Sequence, residues 1–194
     1  MKKIILVASV FLSQMSMASS PAKVNECFGK VKDFSDRLLE VATPVASSEG
    51  VLVGTTSNGE ACQVSVTQRT SGTWGGVEAH EEIYVSVKSA SGIVSFNIEN
   101  YHDSTISGAT GTRLSLPDKK VDFNVGQCRV DSENLLAKVS FSQLYVMKKL
   151  SVSNLGNGIL QFKVKEDGDG LLGLGELLTI GLKNDCTVDL NSQR

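Results

Sequence analysis

The feature that most constrains this chain is a change of period at Val51, after which apolar and polar residues alternate one by one in short segments. Cys62, Val64 and Val66 are separated by Gln63 and Ser65, Ile83, Val85 and Val87 by Tyr84 and Ser86, and Val94, Phe96 and Ile98 by Ser95 and Asn97. The same alternation returns at 121–125, 137–141, 150–152, 160–164 and 188–190. Successive side chains of a strand point to opposite faces, so each segment predicts a strand with one dry and one wet face. Asn157-Gly158 and Ser91-Gly92 separate neighbouring segments with the residues that antiparallel hairpins need. The expected fold is all-β, an antiparallel β-sandwich or small closed barrel of about 8–10 strands.

Ahead of the strands the spacing is helical. Val24, Cys27, Phe28, Val31, Phe34, Leu38 and Val41 recur at steps of three and four, which predicts one N-terminal amphipathic helix over about 22–41. Ser20-Pro21 suits its start and Pro44 its end, while Gly29 costs it about 1 kcal/mol relative to Ala. Its polar face mixes Lys with Asp, which fits packing on a sheet rather than on a membrane.

The first residues point to export. Lys2 and Lys3 precede an apolar run at 4–12, and Ser16 and Ala18 supply small residues at the positions a signal peptidase reads. The expectation is a signal peptide over 1–18 with cleavage after Ala18, and a single domain over 19–194 that is periplasmic or secreted. The run holds nine residues, whereas a spanning helix needs about 20, so no integral membrane segment is expected after cleavage. An outer-membrane barrel would carry aromatic girdles, yet aromatics make up 6% of the chain, which ends in the polar Asn191-Ser192-Gln193-Arg194.

Loss of Lys2 and Lys3 would leave 17 basic against 21 acidic residues, a net charge of −4. That balance is no footprint for nucleic acid, and none is expected as a partner. The densest basic runs, Lys119-Lys120 and Lys148-Lys149, read as solvated strand ends.

Four cysteines, Cys27, Cys62, Cys128 and Cys186, lie far apart in the exported part, with no close pair of the kind zinc sites use. Two disulfides are expected. Cys62, Cys128 and Cys186 read as strand starts, and next-but-one strands stand about 10 Å apart, too far for a disulfide. A short connection joins the helix to the first strands. The expected pairs are therefore Cys27 with Cys62 and Cys128 with Cys186.

Candidate sites are few. The segment 165–176 matches an EF-hand-type calcium loop in placing Asp167, Asp169 and Glu176 at the third, fifth and twelfth positions and Gly170 at the sixth. Lys165 stands at the first position, where an Asp ligand belongs, and the preceding residues alternate like a strand, so a polar turn is the expectation there. His80 and His102 sit among acids but lack the spacing that would join them in a metal site, and read as loop residues. No G-x-S-x-G elbow is present, no catalytic residue is assigned, and no cofactor is expected. Trp74, flanked by Gly72, Gly75 and Gly76, reads as a side chain folded back on the core, with an exposed binding anchor as the alternative. Residues 104–111 read as a loop. The functional expectation is a non-enzymatic, envelope-associated or binding domain for an unknown protein or small ligand. The alternatives are a hydrolase whose active site is assembled from dispersed residues and an inhibitor that uses the Trp74 loop.

Overall fold

In the computed structural model, which describes residues 19–43, 50–72, 78–103, 109–113, 123–143, 146–167 and 181–193, the apolar stripe at 24–41 forms helix α1, Pro21–Ala42. Ser20 caps its start by accepting from the Lys23 amide at 3.4 Å, with Pro21 in the first turn, and the Thr43 hydroxyl donates to the Leu39 carbonyl at 2.7 Å at its end. Val24, Cys27, Phe28, Val31, Phe34 and Leu38 are all buried, as the stripe predicts. The expected signal peptide and its cleavage point, Trp74, Asp169, Glu176 and Lys119-Lys120 lie outside the described residues.

Ten strands follow among the described residues: β1 (Val51–Thr55), β2 (Ala61–Gly72), β3 (Glu78–Ser89), β4 (Gly92–Asp103), β5 (Ala109–Arg113), β6 (Phe123–Asp131), β7 (Leu136–Gln143), β8 (Val146–Gly156), β9 (Ile159–Asp167) and β10 (Leu182–Asp189). β5 corrects the expectation of a loop at 104–111. Its five residues have too little hydrophobic contrast to announce a strand, and it forms by pairing with β4 from Glu99 to Asp103. His80 and His102, read as loop residues, belong to β3 and β4.

All neighbours are antiparallel, and the strands form one sheet in the order β5-β4-β3-β2-β1-β10-β9-β8-β7-β6. Two five-stranded meanders, β1–β5 and β6–β10, are thus joined through β1 and β10, with β5 and β6 as the ends of an open sheet. Asn157 and Gly158 form the β8–β9 turn with φ of 52° and 77°, the left-handed conformation that Asn-Gly tolerates.

The junction between the meanders is slight. β1 pairs with β2 along all five of its residues but with β10 only at Thr55↔Thr187. The free edge of β1 is met by a side chain: the Val53 amide donates to Gln193 Oε1 at 2.7 Å, and Gln193 Nε2 donates to the Val53 carbonyl at 2.7 Å. One carboxamide therefore supplies the two hydrogen bonds that a neighbouring strand would make there.

At this junction the sheet bends and brings the dry faces of the meanders together. Phe96 of β4 stacks on Phe141 of β7 with centroids 5.8 Å apart, and the buried residues of both meanders and of α1 make one contiguous core. α1 packs mostly against β6, and also against β5, β2, β3 and β7. Lys32 lies 3.3 Å from Glu81 of β3, and Asp36 accepts from Gln68 of β2 at 2.6 Å. The helix thereby bridges the two ends of the open sheet.

Both disulfides join different partners from those expected. Cys27 of α1 is bonded to Cys128 of β6, and Cys62 of β2 to Cys186 of β10, with Cα atoms 5.9 and 5.8 Å apart. The first correction follows from the helix: its first half lies on β6, where Lys23 Nζ also donates to the Val125 carbonyl at 3.3 Å. The second follows from the bend. β2 and β10 are next-but-one strands, yet β1 between them carries Gly54 opposite Cys62, and the sheet folds there. A Cβ on Gly54 would fall on the Thr187 carbonyl and lie 3.0 Å from the Cys186 sulfur, so the missing side chain is what lets the strands close over β1. Cys128 and Cys186 also lie within their strands, not at the starts.

Candidate functional site: a lysine-floored cleft

The wet face of β7–β10 floors the site. Alternation along each strand turns Lys138, Lys149, Lys163, Lys165 and Lys183 away from the core, while Val139, Leu150, Val164 and Cys186 point into it. The register then aligns the outward residues across strands. One row reads Gln127, Ser140, Lys149, Lys165, Lys183 from β6 to β10, and the next reads Arg129, Lys138, Ser151, Lys163, Asp185. Lys149, Lys165 and Lys183 are thus direct cross-strand partners, an arrangement in which like charges destabilise a sheet by up to about 1 kcal/mol per pair.

The turn β1–β2, through Thr56, Ser57, Asn58 and Glu60, and the turn β3–β4, through Ser89, Ala90 and Ser91, line the same open cleft as this floor, with a volume of about 1050 Å³. Both turns are anchored to β10. The Ser57 amide donates to Asp185 at 2.8 Å and its hydroxyl lies 3.1 Å from the same carboxylate. Buried Asn184 donates to the carbonyls of Val87 at 3.0 Å and Gly92 at 2.8 Å, and accepts from the Ser91 hydroxyl at 2.8 Å.

The cleft lining sets five lysines against two acids, Glu60 and Asp185, so its positive charge is only partly compensated. Lys165 is bonded to Asp167 at 2.8 Å, and Asp185, which accepts from Ser57 and keeps its charge, is the cross-strand partner of Lys163. Among the described residues no carboxylate lies within ion-pair distance of Lys138, Lys149, Lys163 or Lys183. The lining contains five lysines, two acids, no arginine and no aromatic residue. Such a surface attracts anions through ammonium groups and serine hydroxyls, and it offers no platform for stacking rings.

Lys148, the neighbour of Lys149, points the other way. It is 7% exposed and donates to Asn97 Oδ1, while its ammonium lies 3.7 Å from Glu166. Asn97 in turn donates to Glu82 at 3.3 Å. Burial pushes the Lys148 pKa below the ordinary lysine value, and the charges of Glu166 and Glu82 and the hydrogen bond to Glu166 oppose that shift. Lys148 itself is buried on the core side of β8, Glu82 and Glu166 stay partly exposed, and none of these residues lines the cleft. The reading of Lys148-Lys149 as a solvated strand end is corrected for Lys148, which is buried, while Lys149 is exposed as expected and lines the open cleft.

Of the calcium-loop candidates, Asp167 ends β9 with its carboxylate on Lys165, the cation that occupies the first loop position. The described residues hold no cluster of three or more His, Cys, Asp or Glu able to bind a metal. The register sets His80 opposite Tyr101 and His102 opposite Ala79, so the two histidines are not cross-strand partners.

The lysine rows escaped the sequence reading because Lys149, Lys165 and Lys183 are 16 and 18 residues apart and Lys138 and Lys163 are 25 apart. The visible signal was Lys163-Val164-Lys165, two cations on one face of one strand. No helix among the described residues is long and apolar enough to cross a membrane. No family model, curated protein or solved structure matches the chain.

Proposed function

We propose that this protein is an exported, non-enzymatic binding domain whose cleft captures a multiply charged anion. The observation that carries the reading is the row Lys149, Lys165, Lys183, in which cation faces cation at no benefit to the sheet and lines a cleft instead of open surface. The chain as a whole is acidic, so a local basic face is not a by-product of composition. Export rests on the charged, apolar and small-residue order of the first 18 residues and accords with two disulfides. We read the scaffold as a sandwich made by folding one sheet over, because Phe96 meets Phe141 across the core and β5 does not pair with β6 among the described residues.

A hydrolase would need its polar groups to converge on the cleft. Of the two acids that line it, Asp185 is held by Ser57 and Glu60 stands on the β1–β2 turn, while Glu82 and Glu166, which interact with Lys148, do not line it. The test is calorimetric titration of the exported protein at low salt with a panel of phosphate-, sulfate- and carboxylate-bearing polyanions, repeated with Lys149→Gln/Lys165→Gln/Lys183→Gln. Binding that weakens with salt and disappears in the triple variant is expected. A wild-type protein that binds none of these anions, whether free or displayed on a vesicle, overturns the reading.

A further inference from the structure

The two rows of the floor describe the length and chemistry of what lies on them, and this step rests on the reading of the cleft as an anion site. Adjacent strands stand about 4.8 Å apart, so Lys149, Lys165 and Lys183 spread their charge over about 10 Å across β8, β9 and β10. Lys138 and Lys163 extend the field one row further, about 7 Å along the strands. A single tetrahedral anion, only a few Å wide, would have to draw the three ammonium groups together against their mutual repulsion, whereas an extended anion meets them as the strands space them.

The identity of the cations narrows the class. The two-pronged guanidinium matches carboxylate and phosphate alike, whereas the lysine ammonium acts as a point charge that takes phosphate oxygens from any side. The lining has five lysines and no arginine. Nucleobases need aromatic faces to stack on, and the lining has none. Ser140 and Ser151, interleaved with the lysines in the two rows, supply hydroxyls that donate to oxyanions.

We infer that the cleft binds an extended, ring-free phosphate polyanion that lies across β8, β9 and β10, with successive phosphates on Lys149, Lys165 and Lys183. A soluble oligophosphate chain and a multiply phosphorylated lipid headgroup share this chemistry.

The experiment is titration of the exported protein with orthophosphate, pyrophosphate and tripolyphosphate, with an oligogalacturonate of matched charge, and with vesicles containing either a bisphosphorylated lipid or phosphatidylglycerol. Affinity is expected to rise about tenfold with each added phosphate. Lys149→Gln and Lys183→Gln should each cost about tenfold for tripolyphosphate and lower the log–log salt slope by about one, with orthophosphate barely affected. Lys149→Arg should keep most of the affinity, and circular dichroism of each variant reports that the sheet is intact. Binding of vesicles with the bisphosphorylated lipid alone, with no soluble oligophosphate bound, supports the inference and names the lipid source. Equal affinity for orthophosphate and tripolyphosphate overturns it. Preference for the oligogalacturonate also overturns it while leaving the anion site standing, and binding of no anion at all removes both.

Discussion

The wet faces of the two meanders follow the same alternation and carry opposite electrostatic logic. On the first, Ser65, Ser86 and Ser95 face one another in one row, and in another Arg69 faces Glu82, which faces Glu99. On the second, Lys149, Lys165 and Lys183 face one another without acids between them. The first face is neutral in one row and in the other sets one opposite-charge pair beside one acid-on-acid pair. The second keeps an unfavourable register, which a bound anion would turn into a favourable one. Alternation therefore decides that a face is wet, and the register between strands decides whether that face has an electrostatic task left over.

The largest expected effect concerns how the meanders are held together. Cys62–Cys186 closes a separation of 124 residues and ties the first meander to the second, whereas Cys27–Cys128 closes 101 and ties the helix to the second. Loop entropy makes the two nearly equal, each worth about 4 to 5 kcal/mol. Urea denaturation of Cys62→Ser/Cys186→Ser and of Cys27→Ser/Cys128→Ser should show similar losses. A clasp that costs under about 1 kcal/mol to remove would mean that the meanders are joined by the core alone. Peptide mapping without reductant should return these two links and no others.

Gly54 and Gly29 sharpen the comparison at the next scale. Gly54→Val drives a side chain onto the Thr187 carbonyl at the bend and should cost about 3 kcal/mol. Gly29 in α1 has nothing within 4 Å of an added Cβ, so Gly29→Ala should gain up to about 1 kcal/mol. Opposite signs in chemical denaturation are the expected outcome, and a tolerated Gly54→Val would show that the strands do not need to close over β1.

Smaller still is the cost of the lysine row itself. Lys149→Glu places opposite charges at Lys149 and Lys165 and should stabilise the domain by about 0.5 kcal/mol while weakening anion binding. Ser86→Lys on the first meander should create no anion site, because that row has no other cation. If Lys149→Glu left binding intact, the contrast between the two faces would lose its functional meaning.

The subtlest prediction concerns Lys148. Its folded-state pKa lies below the ordinary lysine value of 10.5, so between the two values the unfolded chain binds more protons. Its cost to folding is present in full below the folded-state pKa and is relieved as pH rises toward 10.5. Stability measured from neutral to alkaline pH should therefore climb more in the wild type than in Lys148→Met. Equal slopes would show that Lys148 is not desolvated in the folded state.

Much of the scaffold was legible in the chain. Period two marked the segments later seen as β2, β3, β4 and β6–β10, helical spacing marked α1, and Asn157-Gly158 marked its turn. Each is a local signal, decided by side chains a few residues apart. β5 was missed because Ala109, Thr110, Gly111 and Thr112 have no apolar contrast to read. The disulfide partners were misassigned because the bend at Gly54 shortens a distance that a flat sheet would keep at about 10 Å.

What the sequence determined by itself is the wet and dry face of most of its strands, the inward stripe of its helix and the even set of cysteines available for pairing. Tertiary structure alone decided which strands are neighbours and in what register, which cysteines meet, and where the sheet bends. The lysine row depends on all of that, because Lys149, Lys165 and Lys183 are brought side by side only when β8, β9 and β10 pair with the alignment they have. Local sequence sets which way a side chain points, through a period of two that holds within one strand. What it points beside is set between strands, by long-range hydrogen bonds and core packing that no short window of sequence contains.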